Sequence, residues 1–535
     1  MINKTGHNRS RKPSPVPSAW ADAAALAAGS LLPLAFSPFN LFPLAVVSPA
    51  LLFMLWHGAS PGRAAFRGFL YGLGMFGLGV SWVYVSMHHY GNMPAPLAGL
   101  AVILFVAGLA LYPSLLGWLQ ARYKVFPLPL RGRGQGEGEK GDFPRASGFH
   151  MVIVLPSLWV LFEWLRGWLL TGFPWLDLGY SQVAYPLAGY APWLGVYGVS
   201  FFCAVSAGLL AWGAPEPKKF LQRSLLPLAV IWAGGWLAGK IEWVQPAGDP
   251  LRVTLIQGNI PLASKWRPES RDAIIDRYFD LSAQAPKSDL IVWPESAVPA
   301  YLDQVDSGFI ERLRRHSRAA GVDFLIGVVE RDNDNGHYFN SVVSIGPQPG
   351  IYRKRHLVPF GEFPPLEPLF SWLMRNLQIP MSDFSAGAPD QSPLFAAGQK
   401  IGVSICYEDA FGNEIIRALP QASLLVNVSE DAWFGDSLAP HQRLQMARMR
   451  AREAGRPMLR AANTGPSAVI DHRGEVIARS PQFQVHVLAA SVQPMQGATP
   501  YVRCGNWPVV LTLALIVAGA GFAPHARRVL TAIRG

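Results

Sequence analysis

Charge is scarce in this chain. Of its 535 residues only 15% are Asp, Glu, Lys or Arg, against roughly 25% in an ordinary soluble domain. Half the residues are apolar, with 18 Trp and 29 Phe. That balance excludes a wholly soluble globular protein and a disordered one, and it points to a membrane-embedded chain carrying a soluble portion. Cysteine is scarcer still: Cys203, Cys406 and Cys504. Cys203 and Cys504 lie in or beside apolar segments, so neither a disulfide framework nor a zinc-ligand spacing can be read. Glycine-rich phosphate loops and His/Cys clusters at ligand spacing are missing too, so no metal and no cofactor is expected. The first apolar stretch follows a basic tail and has no small-residue cleavage site, which reads as an uncleaved membrane segment.

What the chain does have is long apolar runs. A bilayer-spanning helix needs about 20 mostly apolar residues, and about eight candidates occur, near 22–37, 41–57, 68–87, 96–119, 150–170, 187–213, 224–240 and 506–523. Pro33, Pro43 and Pro49 interrupt the first two. The net charge of +11 belongs to this pattern rather than to nucleic-acid binding. With the N-terminus placed in the cytoplasm and sides alternated, Lys4, Arg9, Arg63, Arg67, Arg122, Arg131, Lys218, Lys219, Arg223, Arg527 and Arg528 all fall inside. The short outward loops around 38–40, 88–95 and 171–186 carry no Lys or Arg. Both termini are then cytoplasmic and residues 241–503 lie outside. The Gly-rich, charged stretch 131–148 reads as a flexible cytoplasmic loop. Glu163 and Arg166, three apart in a predicted span, read as a structural pair on one helical face. His88 and His89 read as interfacial residues of an outward loop.

From 241 to 503 the texture changes. RVTLIQGN, DLIVWPE, DFLIGVVE, NSVVSIG, KIGVSICYE, SLLVNVS, MLRAAN and SAVID read as strands. Residues 268–284, 307–320, 409–418 and 439–454 read as helices. The expected organisation is therefore transmembrane helices over 1–240, an α/β domain over 241–503, and a last transmembrane helix with a cytoplasmic tail over 504–535.

Three motifs stand where chemistry sits in an α/β domain, at or beyond strand ends. IVWPES places Glu295 just past a strand. YRKRHLVPFGEFPP holds Lys354 and, eight residues on, Glu362. GVSICYEDAFG ends a strand at Cys406, with a helix expected from about Asp409. A thiol attacks only as thiolate, which a helix N-terminus and a nearby ammonium favour. A carboxylate can take the thiol proton and return it to a leaving group. A Lys can stabilise a tetrahedral oxyanion. Singly, each residue fits a blander role: a buried small Cys, a solvated turn Glu, a surface Lys. Together they form a coherent acyl-transfer set.

WPES, KRHLVPFGEFPP, ICYEDAFG, DAWFGDS, HQRLQMARMRARE and GNWP, in this order, resemble the apolipoprotein N-acyltransferases, and the soluble part resembles the wider nitrilase (carbon–nitrogen hydrolase) superfamily. The resemblance implies a polytopic helical membrane domain joined to a nitrilase-like αββα sandwich. It makes Cys406 the nucleophile, Glu295 the general base and acid, Lys354 the oxyanion partner and Glu362 a supporting acid. Tyr407 and Glu408 follow the Cys as in the family motif and are implied to bind substrate. Trp266, Trp433 and Phe434 match aromatic positions associated with lipid handling. The implied reaction is ping-pong. An acyl chain passes from the sn-1 position of a phospholipid, phosphatidylethanolamine being the expected donor, to Cys406. It passes on to the N-terminal amine of diacylglyceryl-cysteine on an apolipoprotein. The implied setting is the inner membrane of a bacterium, with the catalytic domain in the periplasm; no heptad or pairing surface is read in the sequence, so a monomer is expected. The segment 365–381, amphipathic and Trp-bearing, reads as an arm dipping into the interface. A membrane-anchored amidase or nitrilase and a non-catalytic lipid-binding protein are the competing readings.

Overall fold

The structure, a computed structural model, describes residues 18–122, 148–305, 307–332, 336–363 and 384–534. The expected interfacial arm at 365–381 and nearly all of the 131–148 loop lie outside the described residues.

Apolar helices occupy each of the eight expected positions. Three described helices, Ser18–Ala35, Ala95–Arg122 and Pro186–Gly213, are long and apolar enough to cross a bilayer. A fourth candidate is the pair Pro61–Gly79 and Trp82–Tyr90, bent by 51°. Leu44–Trp56 and Trp507–Ala520 are apolar but shorter. Two local causes shorten the others. Leu44–Trp56 starts only after Pro43 and ends before Gly58, whose φ is +71°. Leu155–Arg166 carries two charges in its last turn. His88 and His89 belong to a π-helical turn, Ser86–Tyr90, that closes the bent pair.

Glu163 and Arg166 are both buried, but they are not joined to each other as expected. Arg166 pairs with Asp177 and donates to the Trp175 carbonyl. Glu163 accepts from Trp159 Nε1 and from the Leu178 backbone, both at 2.9 Å. Each side chain reaches past its own helix because the loop 172–186 folds back against it and brings unpaired backbone groups that need partners.

The soluble part is built on strands β1 (Val244–Pro246), β2 (Leu251–Gln257), β3 (Leu290–Val292), β4 (Asp323–Arg331), β5 (Tyr338–Ile345), β6 (Gly350–Arg353), β7 (Leu394–Ala396), β8 (Gln399–Ile405), β9 (Leu424–Ser429), β10 (Met458–Ala462), β11 (Ala468–Ile470), β12 (Val476–Arg479), β13 (His486–Val492) and β14 (Met495–Gly497). Two six-stranded sheets form, in the orders β13-β2-β3-β4-β5-β6 and β12-β11-β10-β9-β8-β7. In the first, β2, β3 and β4 run parallel; in the second, β8, β9 and β10 do. Val253, Leu255, Leu290 and Val292 of the first sheet share one apolar cluster with Ile401, Val403, Val426 and Leu459 of the second. Their opposite faces are covered by helices. Ile274, Tyr278, Phe309 and Leu313 pack on the first sheet, and Leu444, Ala447 and Ala451 on the second. This inner and outer burial explains why β2 and β9 read as nearly unbroken apolar runs.

The expected helix 409–418 is replaced by short turns, Cys406–Ala410, Gly412–Ile415 and Ile416–Ala418. Phe411 is extended (φ −108°, ψ 102°) and breaks the run. Among the described residues, no helix longer than these turns begins at Cys406. The apolar core does not stop at the membrane part: Tyr407, Ala410, Ala439, Met446 and Met449 belong to the same cluster as Trp82, Trp159, Trp175 and Val199.

Candidate active site

Three chemically distinctive side chains stand where the chain leaves its strands, Glu295, Lys354 and Cys406. Glu295 follows β3 by three residues, and Ser296 after it adopts φ +48°. Gly327 on β4 permits this turn, since a Cβ there would lie 2.2 Å from the Pro294 carbonyl. Lys354 follows β6 directly. Its backbone N–H donates to the Asn340 carbonyl of β5 (2.8 Å), and its carbonyl accepts from Gly387 (2.7 Å). Cys406 follows β8 with φ +49°, a left-handed conformation that costs a β-carbon residue about 1–3 kcal/mol and recurs at functional sites. Asn427 on β9 donates to the Cys406 carbonyl (3.2 Å) and helps hold that turn.

The polar network is closed. Lys354, 1% exposed, donates through Nζ to Glu362 Oε1 at 2.8 Å and stands 3.8 Å from Glu295 Oε1. Asn340 Nδ2 bridges Glu295 Oε1 (2.7 Å) and Glu362 Oε1 (3.2 Å). The other Glu295 oxygen accepts from the Glu430 N–H at 2.8 Å, and the other Glu362 oxygen from the Val358 N–H at 2.8 Å. Burial works against the Lys354 charge, yet Glu362, Glu295 and the Cys406 sulfur outweigh it and hold the ammonium above its ordinary range. Lys354 is therefore a fixed cation.

Cys406 is held as the neutral thiol, its proton still to be taken, as the expected role of Glu295 requires. Burial pushes its thiol up to about 12; Arg443 and Lys354 pull it down, and Glu295 and Asp431 push it up. Without a helix dipole to help, desolvation wins. The site can remove the thiol proton only when a base does so in place.

Two family models match the chain. The one described as the apolipoprotein N-acyltransferase N-terminal domain covers residues 28–209, and carbon-nitrogen hydrolase covers 252–501. An apolipoprotein N-acyltransferase of Methylococcus capsulatus is 47% identical over 94% of this chain and 96% of its own length. That of Nitrosomonas europaea is 46% identical over 94% and 98%.

This chain belongs to the apolipoprotein N-acyltransferase family.

A solved carbon–nitrogen hydrolase superfamily protein of Xanthomonas campestris is 20% identical, with a TM-score of 0.36, over 50% of this chain and 97% of that one. Within the N-acyltransferase frame, the remaining expected positions fall on two sides of the site. Tyr407 points at the membrane part: its hydroxyl donates to the Gly172 carbonyl, and its ring stacks on Trp175. Glu408 is buried and accepts from the N–H groups of Ile405 (2.7 Å), Arg355 (2.7 Å) and His356 (3.1 Å), and from the Tyr352 hydroxyl. It thus staples the Cys406 turn to the Lys354 segment. Trp433 is half-buried and takes the Ser86 hydroxyl on its carbonyl (2.9 Å). Phe434 packs edge-on against Trp82. Trp266 is 37% exposed and closes the short helical turn Leu262–Lys265.

Several participants were not singled out from sequence. Asn340 sits inside an ordinary strand pattern. Lys265, beside Trp266, makes a buried pair with Glu430 and donates to the Glu295 carbonyl (3.1 Å). Arg443 lies within the motif HQRLQMAR, where its neighbours gave no reason to prefer it. The signal that remained was a run of charged residues at helix positions that turn out to be inward-facing: Arg443, Arg450 and Glu453 are each 1% exposed.

Proposed function

We propose that this chain is a membrane-embedded N-acyltransferase that moves a fatty acyl chain from a phospholipid to the N-terminal amine of diacylglyceryl-cysteine on an apolipoprotein, through a thioester on Cys406. The observation that carries the reading is the closed set of Glu295, Lys354 and Glu362 beside Cys406, in a soluble unit whose core runs on into apolar helices.

In the first half-reaction Glu295 takes the Cys406 proton as sulfur attacks the sn-1 ester carbonyl. The C–S bond forms while Lys354 stabilises the oxyanion. The ester C–O bond then breaks, and the lysophospholipid oxygen leaves with the proton from Glu295. In the second half-reaction the free α-amine attacks the thioester. A C–N bond forms, the C–S bond breaks, and the amine proton passes by way of Glu295 to the sulfur. Glu362 keeps Lys354 in register. Tyr407, Glu408, Trp266, Trp433 and Phe434 shape the substrate's approach.

The finer assignments belong to the same proposal. The chain crosses a bacterial inner membrane eight times and divides at 1–240, 241–503 and 504–535. Its soluble unit is a four-layer nitrilase sandwich in the periplasm, both termini are cytoplasmic, the donor is phosphatidylethanolamine, and the protein acts as a monomer. Membrane residence suits the substrate. Withdrawing a sixteen-carbon chain from a bilayer costs roughly 12 kcal/mol at about 0.8 kcal/mol per CH₂, and an enzyme seated at the surface needs to lift only the ester.

Mass spectrometry of the Cys406 peptide after the purified enzyme meets phosphatidylethanolamine vesicles tests the reading. An acyl adduct that disappears on adding a diacylglyceryl-cysteine peptide, with the peptide gaining the chain, is the expected result. No adduct, or loss of the adduct to water alone, would replace acyl transfer by carbon–nitrogen hydrolysis.

A further inference from the structure

Lys354 is paired with two carboxylates, Glu362 and Glu295, and acts on the sulfur through its charge. Among the described residues, the hydrogen bond that reaches Cys406 Sγ comes from Arg443 Nη1, at 3.4 Å. Arg443 sits on the helix Leu438–Ala454, 1% exposed, and is held on every side. Nη1 also donates to Ser429 Oγ and to Asp431 Oδ1 (2.7 Å), and Nη2 to Asp409 Oδ1 (3.2 Å). Asp431 is itself shared with Arg460, whose Nη2 donates to the other oxygen at 2.7 Å. Two arginines and two aspartates thus form a charge-balanced buried chain, Arg460–Asp431–Arg443–Asp409, and the sulfur meets it at Arg443.

From this geometry we infer that Arg443 is a catalytic cation that stabilises the Cys406 thiolate, both as it forms for attack and as it departs from the thioester. The inference rests on the reading of Cys406 as the acyl carrier. When the thiol proton passes to Glu295, one negative charge leaves the carboxylate beside Lys354 and appears on the sulfur beside Arg443. The total charge of the site is unchanged; only the cation facing the anion differs. Lys354 then becomes free to turn toward the substrate oxyanion, while the sulfur's charge stays neutralised. The charged groups acting on the sulfur are Arg443, Lys354, Glu295 and Asp431, from four chain segments. Of the cations, Arg443 pulls the thiol down most strongly. An Arg suits the place because its guanidinium stays protonated under all working conditions and its fork is fixed by the aspartates and Ser429, which hold Nη1 3.4 Å from the sulfur.

Alkylation reads this role without any lipid. Iodoacetamide forms a C–S bond with the thiolate as the C–I bond breaks and iodide leaves, and the rate on the Cys406 peptide can be followed by mass spectrometry at fixed pH. Where the thiol is mostly protonated, a one-unit rise in its pKa lowers the thiolate tenfold. The more basic thiolate recovers about threefold in nucleophilicity, leaving the rate about threefold slower. Arg443→Gln is expected to show at least that slowing at pH 8. Arg443→Lys, which keeps the charge but not the fork, is expected to stay near the parent rate. Asp409→Asn, which removes an anion that competes with the sulfur for Arg443, is expected to speed alkylation. If Lys behaves like Gln, or Asp409→Asn slows the reaction, Arg443 is an anchor of the loop and the proposal is overturned. Should Arg443→Gln fail to fold, as judged by its melting in detergent, the opposed shifts of the other two variants still decide. A parent enzyme that never forms an acyl adduct would refute the acyl-carrier reading and leave these alkylation rates unaffected, so the two failures are distinguishable.

Discussion

At the scale of single residues, the site shows which force dominates a partly buried thiol. Two cations face Cys406, yet burial keeps it protonated, with its pKa pushed up to about 12. The sign is direct: a raised thiol pKa means neutral sulfur throughout the physiological range, with the thiolate growing about tenfold per pH unit until the pKa is reached. Alkylation of Cys406 in lipid-free enzyme should therefore accelerate steadily from pH 7 to pH 10, and a plateau below pH 9 would contradict this electrostatic account. Lys354 makes a second prediction. Removing an oxyanion donor typically costs about 10²–10³ in kcat, so Lys354→Met should slow lysophospholipid release by that order in single-turnover assays. The same substitution leaves Glu295 and Glu362 without their shared cation. A lowered melting temperature should accompany the rate loss, and Lys354→Arg should restore the former more than the latter.

At the scale of elements, the site depends on a loop that belongs to the membrane part. Gly172 has φ +91°, and a Cβ there would fall 2.3 Å from the Gly167 carbonyl. Its own carbonyl receives the Tyr407 hydroxyl, while the neighbouring Thr171 carbonyl meets His356 Nε2 at 2.9 Å. Tyr407 follows the nucleophile and His356 lies two residues beyond Lys354, so this loop touches both halves of the site. Gly172→Ala should force the loop away and lower acyl transfer at least about tenfold, the equivalent of one lost hydrogen bond of about 1.4 kcal/mol. Membrane insertion should be unchanged in a fractionation assay; loss of insertion would mean that the loop serves folding instead. The same elements show what could be read from sequence. The eight predicted strands all coincide with β2, β3, β4, β5, β8, β9, β10 and β11 because burial on both faces writes a plain apolar run. The strands that went unread, such as β12 and β13, are half-exposed and carry residues like Arg479 and His486 that fit no simple alternation. The motifs named Glu295, Lys354, Glu362 and Cys406 because their residue types are chemically distinctive. Asn340 and Arg443 escaped because their importance lies in whom they touch across the fold. The helix expected over 409–418 does not form because Phe411 is extended and interrupts the run, a backbone conformation that composition does not reveal.

At the scale of the whole molecule, the two parts share one interior. Glu453 of the soluble part accepts from the Val196 N–H, where the helix Ala191–Gly213 breaks at Gly195, and Tyr501 is buried against the same break. Residues 241–503 expressed alone would expose Tyr407, Met446, Met449 and Tyr501 to water. The fragment should aggregate or bind a hydrophobic dye, and a monodisperse, dye-free fragment would argue against the shared core. Orientation can be tested through a cysteine that does no chemistry. Asp22 joins Arg63 and Arg67, so the starts of the first and third apolar helices lie at one end of the bundle. Cys504 is exposed at the start of the last helix, and Gly505 beside it lies against Asn413 and Ile416 of the soluble part. On the proposed topology the arginine end faces the cytoplasm and Cys504 faces outward. In a Cys406→Ser background Cys203 is buried, so a membrane-impermeant maleimide added to intact spheroplasts should label Cys504 to the same extent as after lysis. Labelling that appears only after lysis would invert the protein in its membrane. Donor lipid would then have to come from the inner leaflet, and the acceptor amine, presented on the outer face, could not reach the thioester.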